Sequence, residues 1–307
     1  MKFYDVMQEW LEFHALAVSE ATIYNYSKSV RILKSSIGQM DIEEISREDI
    51  QSLFIDLYHQ GLTMNTMVNY SKPISQSLKY AAMKGYIEFS PYSNIVIPKT
   101  EARDANPFTE DEVEKLLKLK LPLWFRDAVQ LAFWTGMRKS EIFALSKDDI
   151  YMSSFALSKD DIYIDKAFLM VTHTQSMIQE GCVILKSPKT KRSKRRIALD
   201  NVSVEILRRR CATCKAYIFE KNGEMMVPDG INAMLNRKCK QAGIAKHRFH
   251  DLRHGHATFL LKNNVHPKIV QERLGHADIS MTLDTYNHLI PDMQAPAVNV
   301  INNLIIS

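Results

Sequence analysis

The sequence predicts a mainly α-helical protein with a small antiparallel β-sheet, in which an N-terminal helical bundle precedes a mixed α/β domain. Apolar residues recur at helical spacing through most of the first hundred residues. Three later runs, AFLMVTHT, GCVILKS and RIALD, have the composition of short strands. Between these regions lies PKTEARDAN, which is polar and charged, as linkers are. We therefore expect a helical domain at 1–97, a linker at 98–106 and a second domain at 107–307.

Length and composition fit two globular domains, because 307 residues and 35.4 kDa suffice for two cores. Forty Lys and Arg against 35 Asp and Glu give a net charge of +5, which permits DNA binding without requiring it. The four scattered cysteines favour a reducing compartment. The acidic N-terminal segment is not typical of a signal peptide, and no apolar run of about 18 residues could span a membrane. We expect a cytoplasmic protein.

The first domain should contain four helices with recognisable ends. Ser19, Ser46 and Thr63 are the expected N-caps of the second, third and fourth helices. Gly38 should stop the second helix, and Pro73 predicts a kink or a later start in the fourth. On charge alone this domain fits a packing module better than a clamp on DNA. The chemistry of the second domain favours the clamp.

The second domain should begin with a helix capped by Thr109, with Glu112 three residues later completing a capping box. An apolar helix over 124–134 should end at Gly136, where a glycine permits a tight turn. Arg138 follows this turn at the start of KSEIFAL, another predicted helix. The turn would hold Arg138 in place, although a surface salt bridge is the better explanation of this arginine when it is considered alone.

A duplicated segment follows Arg138. FALSKDDIY occurs at 143–151 and again at 155–163, offset by twelve residues. A helical insertion of twelve residues would rotate everything after it by roughly 120°. We therefore expect the surplus copy to form a loop or short extra element near the surface, and not to continue one helix from Ser140 through Ser158.

A strongly basic segment, KSPKTKRSKRR at 186–196, separates the second and third predicted strands. Pro188 and the lack of apolar residues predict a hairpin loop, and the clustering of cations favours contact with phosphates. Lys189 is expected closest to the chemistry. The residues expected to bind DNA are Lys191, Arg192, Lys194, Arg195 and Arg196.

Two patterns resemble metal-binding motifs, but each is incomplete. Cys211 and Cys214 form a CxxC pair without a second pair at matching spacing, so ordinary helix cysteines fit better than zinc. His250 and His254 lie four apart, as in the zinc helix HExxH, but the glutamate is absent and Arg253 would repel a dication. We expect no metal and no other cofactor.

The C-terminal part carries the residue types needed to attack a phosphodiester. His250 and Arg253, three apart, share one face of a predicted helix. His276 follows a helix that Gly275 should stop, and Tyr286 lies ten residues later in a further short helix. Tyrosine can be a covalent nucleophile, arginine forks onto phosphate oxygens, and histidine transfers protons near neutral pH.

The motifs TGMRKSE, PKTKRSKRR, HDLRHGHAT and LGHADISMTLDTY occur in this order. Through them the chain resembles the tyrosine recombinases of the phage and conjugative-transposon integrase family, over about residues 1–290. The resemblance implies a core-binding domain that clamps DNA, followed by a tyrosine-recombinase catalytic domain. It also implies six catalytic residues, with phosphate bound by Arg138 and Arg253, a hairpin Lys189, the histidines His250 and His276, and the nucleophile Tyr286.

The implied enzyme is a site-specific recombinase that cleaves and rejoins double-stranded DNA through a 3′-phosphotyrosine, and so integrates or excises a mobile element. The implied assembly is a homo-tetramer on DNA, and it admits an accessory DNA-bending or excision factor. The family often carries an extra N-terminal arm-binding domain, whereas this chain begins with what resembles the core-binding domain. The duplication is a departure from the pattern, and it could displace Arg138.

Two other functions remain open at this point. An architectural or regulatory DNA-binding protein would keep the fold without cleaving strands, although all the site residues are present. A topoisomerase would relax supercoiled DNA without a specific site. After Tyr286, an apolar stripe of Val298, Ile301 and Ile305 is expected to pack on its own domain or on a neighbouring subunit.

Overall fold

The computed structural model describes residues 1–100, 106–152, 167–179, 182–187 and 193–276. Two compact units separate within them: residues 1–100 with 177–179 and 182 form the first, and the other described residues form the second. Each unit has its own apolar core. None of the described helices is both long and apolar enough to cross a membrane. Most of the predicted linker, 101–105, lies outside the described residues.

The first unit contains four α-helices, and its core lies between them. The helices are α1 (Phe3–Ala15), α2 (Glu20–Leu33), α3 (Arg47–His59) and α4 (Met64–Lys84), with 3-10 turns at Ile37–Gln39 and Ile42–Glu44. Phe3, Trp10 and Phe54 are among the buried core residues. These spans confirm the four predicted helices.

The ends of these helices follow local chemistry. The Ser19 hydroxyl accepts the backbone N–H of Thr22 at 3.4 Å, and Ser46 forms a capping box with Asp49. Gly38 does not stop α2 as predicted, because the helix already ends at Leu33. Gly38 is needed for a close approach instead: a Cβ added there would lie 2.8 Å from the Leu33 carbonyl oxygen.

Pro73 lies inside α4, which begins at Met64, so the predicted later start of this helix is wrong. The Thr63 hydroxyl caps α4 at its N-terminus. Gly85, in the left-handed conformation at φ +75°, ends it. One helix of 21 residues therefore spans this unit.

The second unit packs seven described α-helices around an apolar core that includes Phe125, Phe133, Phe143 and Leu252. The helices are α5 (Glu110–Leu117), α6 (Leu123–Thr135), α7 (Lys139–Ile142), α8 (Asn201–Thr213), α9 (Ile231–Ala242), α10 (Asp251–Lys262) and α11 (Pro267–Leu274). The capping box of Thr109 and Glu112 opens α5 as predicted.

Short strands form small two- and three-stranded sheets beside this core. The strands are β1 (Ile150–Tyr151), β2 (Phe168–Val171), β3 (Thr174–Gln179), β4 (Cys182–Lys186), β5 (Arg195–Ala198), β6 (Glu220–Lys221) and β7 (Glu224–Met225). Their pairing order is β1-β2-β5, β3-β4 and β6-β7.

The pairing corrects the expected hairpin at the basic segment. β4 pairs with β3, whereas β5 pairs antiparallel with β2, so the basic segment connects two sheets. Leu169 and Val171 of β2 are buried and lie opposite the buried Ile197 and Arg195 of β5. In this register the inward-facing side chains of β2 lie opposite those of β5, so both sets are buried together.

The first copy of the duplicated segment is built into the second unit. Phe143 and Leu145 are buried in the core, and Ile150–Tyr151 forms β1. The helix after Arg138 ends at Ile142, and a 3-10 turn at Lys147–Asp149 precedes the strand. The chain therefore leaves the helical conformation well before the second copy, which lies outside the described residues.

Candidate active site

Arg138 is positioned by the turn between α6 and α7. Gly136 ends α6 at φ +68°, and a Cβ there would lie 2.6 Å from Cδ2 of His256 and 2.7 Å from Cδ2 of Leu274. Both conformation and space therefore require glycine at this position. Arg138 then occupies the N-cap of α7, with its side chain 32% exposed.

A buried carboxylate orients the Arg138 side chain. Glu141 accepts the Arg138 backbone N–H at 2.9 Å through Oε2 and the Arg138 Nη1–H at 2.8 Å through Oε1. Arg195 donates to the same two oxygens, from Nη1 at 3.0 Å and from Nη2 at 2.9 Å. One carboxylate thus binds two arginines, one of them in the bidentate geometry that is strongest for this pair.

The charge of Glu141 is stabilised in place. Burial acts to raise its pKa, but the hydrogen bonds and charge of Arg195, with the charges of Arg253 and Arg138, lower the pKa to about 2. Glu141 is therefore ionised at neutral pH, although its side chain is only 3% exposed. The sequence held a signal for this residue, since Glu141 follows Arg138 by three on a predicted helix.

Arg195, predicted to bind DNA, is buried beside Glu141. Its side chain is 5% exposed. Besides the two bonds to Glu141, its Nε donates to the Arg273 carbonyl oxygen at 2.6 Å. Its guanidinium therefore joins Glu141 to the last turn of α11. The neighbouring Lys194 and Arg196 are exposed, and the Arg196 guanidinium carbon lies 3.8 Å from the centre of the Phe168 ring.

Arg253 comes from α10 and ties together the ends of two other helices. It is buried, and it donates from Nη1 to the Gly136 carbonyl oxygen and from Nη2 to the Leu274 carbonyl oxygen, both at 2.7 Å. These carbonyls lie at the ends of α6 and α11. The bonds fix the guanidinium plane beside the turn that carries Arg138.

His276 lies directly after α11, as predicted. Gly275 ends the helix at φ +70°, and the His276 backbone N–H donates to the Gln271 carbonyl oxygen at 3.1 Å. The Gln271 side chain, itself buried, donates to the His276 carbonyl oxygen at 3.3 Å. This pair of bonds holds the backbone from which the imidazole projects.

The described histidines of the site are neutral at pH 7. Desolvation, followed by the charges of His254, Arg253 and Arg138, lowers the pKa of His250 to about 4. Desolvation and the charges of Arg253 and Arg138 lower the pKa of His276 to about 3. The same two arginines act on both rings, so these four residues form one electropositive cluster. Neutral imidazoles beside fixed cations can accept protons or hydrogen bonds.

A half-buried arginine, Arg273, supports this cluster and was not predicted. It donates from Nε to His256 Nε2 at 3.0 Å, from Nη1 to the Ala198 carbonyl oxygen at 2.9 Å and from Nη2 to the Trp134 carbonyl oxygen at 3.1 Å. It thus joins α10, β5 and α6. Its position within a polar helix pattern gave no indication of these contacts.

The remaining predicted site residues lie outside the described part of the chain: Lys189, Lys191, Arg192 and Tyr286. Cys211, Cys214 and Cys239 are free thiols. Among the residues that the structure describes, no group of three or more His, Cys, Asp or Glu is arranged to hold a metal ion.

A family model described as the phage integrase family matches residues 106–292. This chain belongs to the phage integrase family. A second model, the phage integrase SAM-like domain, matches residues 2–99. The predicted family and the predicted class of enzyme, a site-specific tyrosine recombinase, are confirmed.

Individual relatives agree with this membership. A tyrosine recombinase XerC-like protein of Caldanaerobacter subterraneus subsp. tengcongensis is 27% identical, over 98% of this chain and 83% of its own. The ICEBs1 integrase of Bacillus subtilis is 24% identical, over 86% of this chain and 73% of its own. Both relatives are therefore matched along most of their length.

Solved integrase structures share the fold. The Tn1549 transposon integrase in complex with a circular intermediate DNA has a TM-score of 0.76 at 19% identity, covering 98% of this chain and 99% of that one. A lambda integrase tetramer bound to a Holliday junction has a TM-score of 0.69 at 18% identity, covering 91% and 79%. The predicted fold class, a helical N-terminal domain followed by a mixed catalytic domain, is confirmed.

Proposed function

We propose that this integrase cuts and rejoins double-stranded DNA at specific sites through a covalent bond to Tyr286, and thereby integrates or excises a mobile element. The observation that carries the proposal is the cluster of Arg138, Arg253, His250 and His276, which three separate helix ends bring together. Two fixed cations and two neutral imidazoles suit a reaction at a phosphodiester.

The arginines act on the charge of the phosphate. A phosphodiester repels nucleophiles, and its transition state carries more negative charge on the nonbridging oxygens. Arg138 and Arg253 bind those oxygens, and their guanidinium groups are already oriented by Glu141 and by the Gly136 and Leu274 carbonyls. Groups oriented before the reaction cost no reorganisation when the charge develops.

The covalent step exchanges one phosphate ester for another. The Tyr286 oxygen attacks phosphorus and forms a new ester, while the bond between phosphorus and the 5′-oxygen breaks. His250 accepts the tyrosine proton, Lys189 donates a proton to the leaving 5′-oxygen, and His276 donates a hydrogen bond to the phosphate. A 5′-hydroxyl of another strand reverses the step, so the protein chain needs no metal or nucleotide for it.

DNA contacts outside the cluster come from both units. Lys194 and Arg196 are exposed beside β5, and with Lys191 and Arg192 they bind the DNA backbone. The helical domain at 1–97 clamps the duplex from its own helices, and 98–106 connects it to the catalytic domain at 107–307. The two units then act on one site.

The working assembly is a homo-tetramer on two DNA sites. Lambda integrase structures with DNA include a dimer on a core site and a tetramer on a Holliday junction, which supports oligomerisation on DNA. The apolar stripe at 298–305 docks on a neighbouring subunit, and an accessory DNA-bending or excision factor sets the direction. Since the substrate is DNA, we place the protein in the cytoplasm.

A covalent trapping experiment tests the proposal. The full chain is incubated with a nicked duplex taken from the DNA that flanks its coding region, so that the short released strand diffuses away and traps the adduct. We expect a slowly migrating protein–DNA band with the wild type and none with Tyr286→Phe. A wild type that binds this DNA without forming an adduct would favour an architectural role. Site-independent relaxation of a supercoiled plasmid would instead indicate a topoisomerase.

A further inference from the structure

Charge is unevenly distributed among the four helices of the first unit. α2 and α4 together contain five Lys or Arg and one acid, Glu20. α1 and α3 together contain one basic residue, Arg47, and six Asp or Glu. α2 and α4 pack against each other. A polyanion is therefore attracted to the side that they form and repelled from α1 and α3.

On α4 a stripe of polar side chains faces solvent. Asn65, Asn69, Lys72, Gln76 and Lys79 are all exposed, at spacings of three and four residues. At 100° per residue these positions fall within about 80° around the helix axis. The helix contains no Asp or Glu. We call these five residues the α4 stripe.

The polar groups of the α4 stripe are open to solvent. Its side chains make none of the hydrogen bonds or ion pairs found among the described residues, whereas the opposite face of α4 buries Met67, Ile74 and Leu78 in the core. Two lysines at α2 differ, since Lys28 lies over the Tyr24 ring at 4.1 Å and the C-cap Lys34 over the Tyr4 ring at 4.7 Å, while Arg31 of α2 is exposed. Open amides and ammonium groups are thus concentrated on α4.

The composition of the stripe matches direct readout of DNA. An α-helix fits the major groove, where Asn and Gln side chains bind adenine through N6 and N7. Lysines more often contact phosphates, which position a helix without carrying sequence information. The stripe interleaves three amides with two lysines, so it can both bind base edges and contact the phosphates that flank the groove.

We infer that Asn65, Asn69 and Gln76 determine sequence specificity by binding A·T base pairs in the major groove, while Lys72 and Lys79 bind the flanking phosphates. This inference rests on the proposed function, because it names the bases that the recombinase recognises. At 1.5 Å per residue, Asn65 and Asn69 lie about 6 Å apart along α4, and Asn69 and Gln76 about 10.5 Å. With about 3.4 Å per base pair, the adenines read are about two and about three steps apart.

Selection from a random-sequence duplex library tests the assignment with the full-length protein. Bound duplexes are sequenced for the wild type and for Asn65→Ala, Asn69→Ala and Gln76→Ala. We expect each variant to lose preference for A·T at one position of the enriched motif, by about 5- to 150-fold, and to keep the rest. Lys72→Ala and Lys79→Ala should keep the whole motif, weaken all sequences alike and reduce the salt slope by about one each.

Gln60→Ala provides the matched control, because Gln60 is an exposed amide at the end of α3 on the acidic side. It should leave the motif unchanged. If the amide variants of α4 also enrich the wild-type motif, or if the wild type enriches none, the inference is wrong. The covalent adduct at Tyr286 is scored separately with the wild type, so an unchanged motif beside a normal adduct overturns the inference and leaves the proposed function standing.

Discussion

Two buried carboxylates of the catalytic unit each bind two arginines, but they serve different parts of the molecule. Asp127 of α6 accepts Arg209 Nη2 at 2.6 Å and Arg210 Nε at 2.8 Å, and both arginines belong to α8. Glu141 binds Arg195 of β5 and Arg138 of the candidate site. The contacts of Asp127 with its two arginines join α6 to α8.

The two carboxylates differ in the roles of the arginines that they bind. Both partners of Asp127 belong to α8, so the ion pairs stabilise the packing of α6 on α8. Of the partners of Glu141, Arg195 is 5% exposed and structural, whereas Arg138 is 32% exposed and proposed to bind phosphate. The same chemistry therefore supports the scaffold at one position and orients a catalytic group at the other.

The largest expected effect is on the rate of strand cleavage, which should distinguish the structural carboxylate from the one that orients Arg138. Glu141→Gln leaves one buried and one half-buried arginine without a counter-charge, whereas Asp127→Asn leaves one half-buried and one exposed arginine. We therefore expect about 3–5 kcal/mol of lost stability from the first and less from the second. Strand cleavage in a single turnover should fall about 10²-fold or more in Glu141→Gln, because Arg138 loses its orientation. Asp127→Asn should retain the wild-type rate at a temperature where both variants remain folded. Equal losses of rate would contradict the distinction.

Arg195 and Arg196, adjacent in sequence, sharpen the comparison further. Arg195→Ala should destabilise the fold by about 3–5 kcal/mol, since Glu141 loses its bidentate partner. Arg196→Ala should cost about 1 kcal/mol or less, the size of a cation–π contact. DNA titrations over a range of salt should show the reverse order: only Arg196→Ala lowers the salt slope by about one. A reduced slope in a folded Arg195→Ala protein would restore Arg195 as a DNA contact.

Two glycines test how firmly the Arg138 turn is held. Gly136 and Gly230 have nearly equal conformations, φ +68° and +69°, so alanine should cost each about 1–2 kcal/mol of backbone strain. Nothing lies within 4 Å of a Cβ at Gly230, whereas Gly136 would press on His256 and Leu274. Chemical denaturation should therefore show an extra loss of about 1–3 kcal/mol for Gly136→Ala. Equal destabilisation of the two variants would mean that His256 and Leu274 move aside from a Cβ at position 136 at little cost.

The pH dependence of stability tests the burial of His256 beside the same turn. Burial and the charge of Arg273 lower the pKa of His256 to about 3, below its ordinary 6.5. Below pH 6.5 the unfolded chain binds a proton there that the folded chain does not, so stability falls as pH falls toward 3, by up to about 1.4 kcal/mol per pH unit.

His256→Gln isolates this contribution, because glutamine keeps an acceptor for Arg273 but does not titrate. Unfolding free energies between pH 5 and 6.5 should fall less steeply on acidification in the variant. This window avoids Glu141, whose lowered pKa of about 2 removes stability only as pH falls below about 4.5. An unchanged slope would indicate that His256 is protonated in the folded state.

Features set within a few residues were predictable from the sequence. Ser46 and Thr109 cap the expected helices because each cap involves a partner three residues away. Gly136 ends a helix two residues before Arg138, and Gly275 ends one directly before His276, so these helix stops predicted where both site residues lie. Membership of the family rested on the same motifs.

Features that depend on distant partners were not predictable. Arg195 was indistinguishable from Arg196 in a basic segment, and only the pairing of β5 with β2 turns it inward toward Glu141. Because β5 pairs with β2 and not with β4, the hairpin expected at the basic segment is not found. Arg273 lies in a polar helix, and its position depends on acceptors in α6, β5 and α10. Periodicity within one helix carries no information about such acceptors.

The most direct test of the account is to locate the DNA on the protein. Adduct trapped on the nicked duplex is digested with nuclease and protease, and the nucleotide-bearing peptide is identified by mass spectrometry. We predict a single modified residue, Tyr286, carrying the phosphate of a 3′-nucleotide. A nucleotide attached to another residue, or through a 5′-phosphate, would contradict the proposed chemistry.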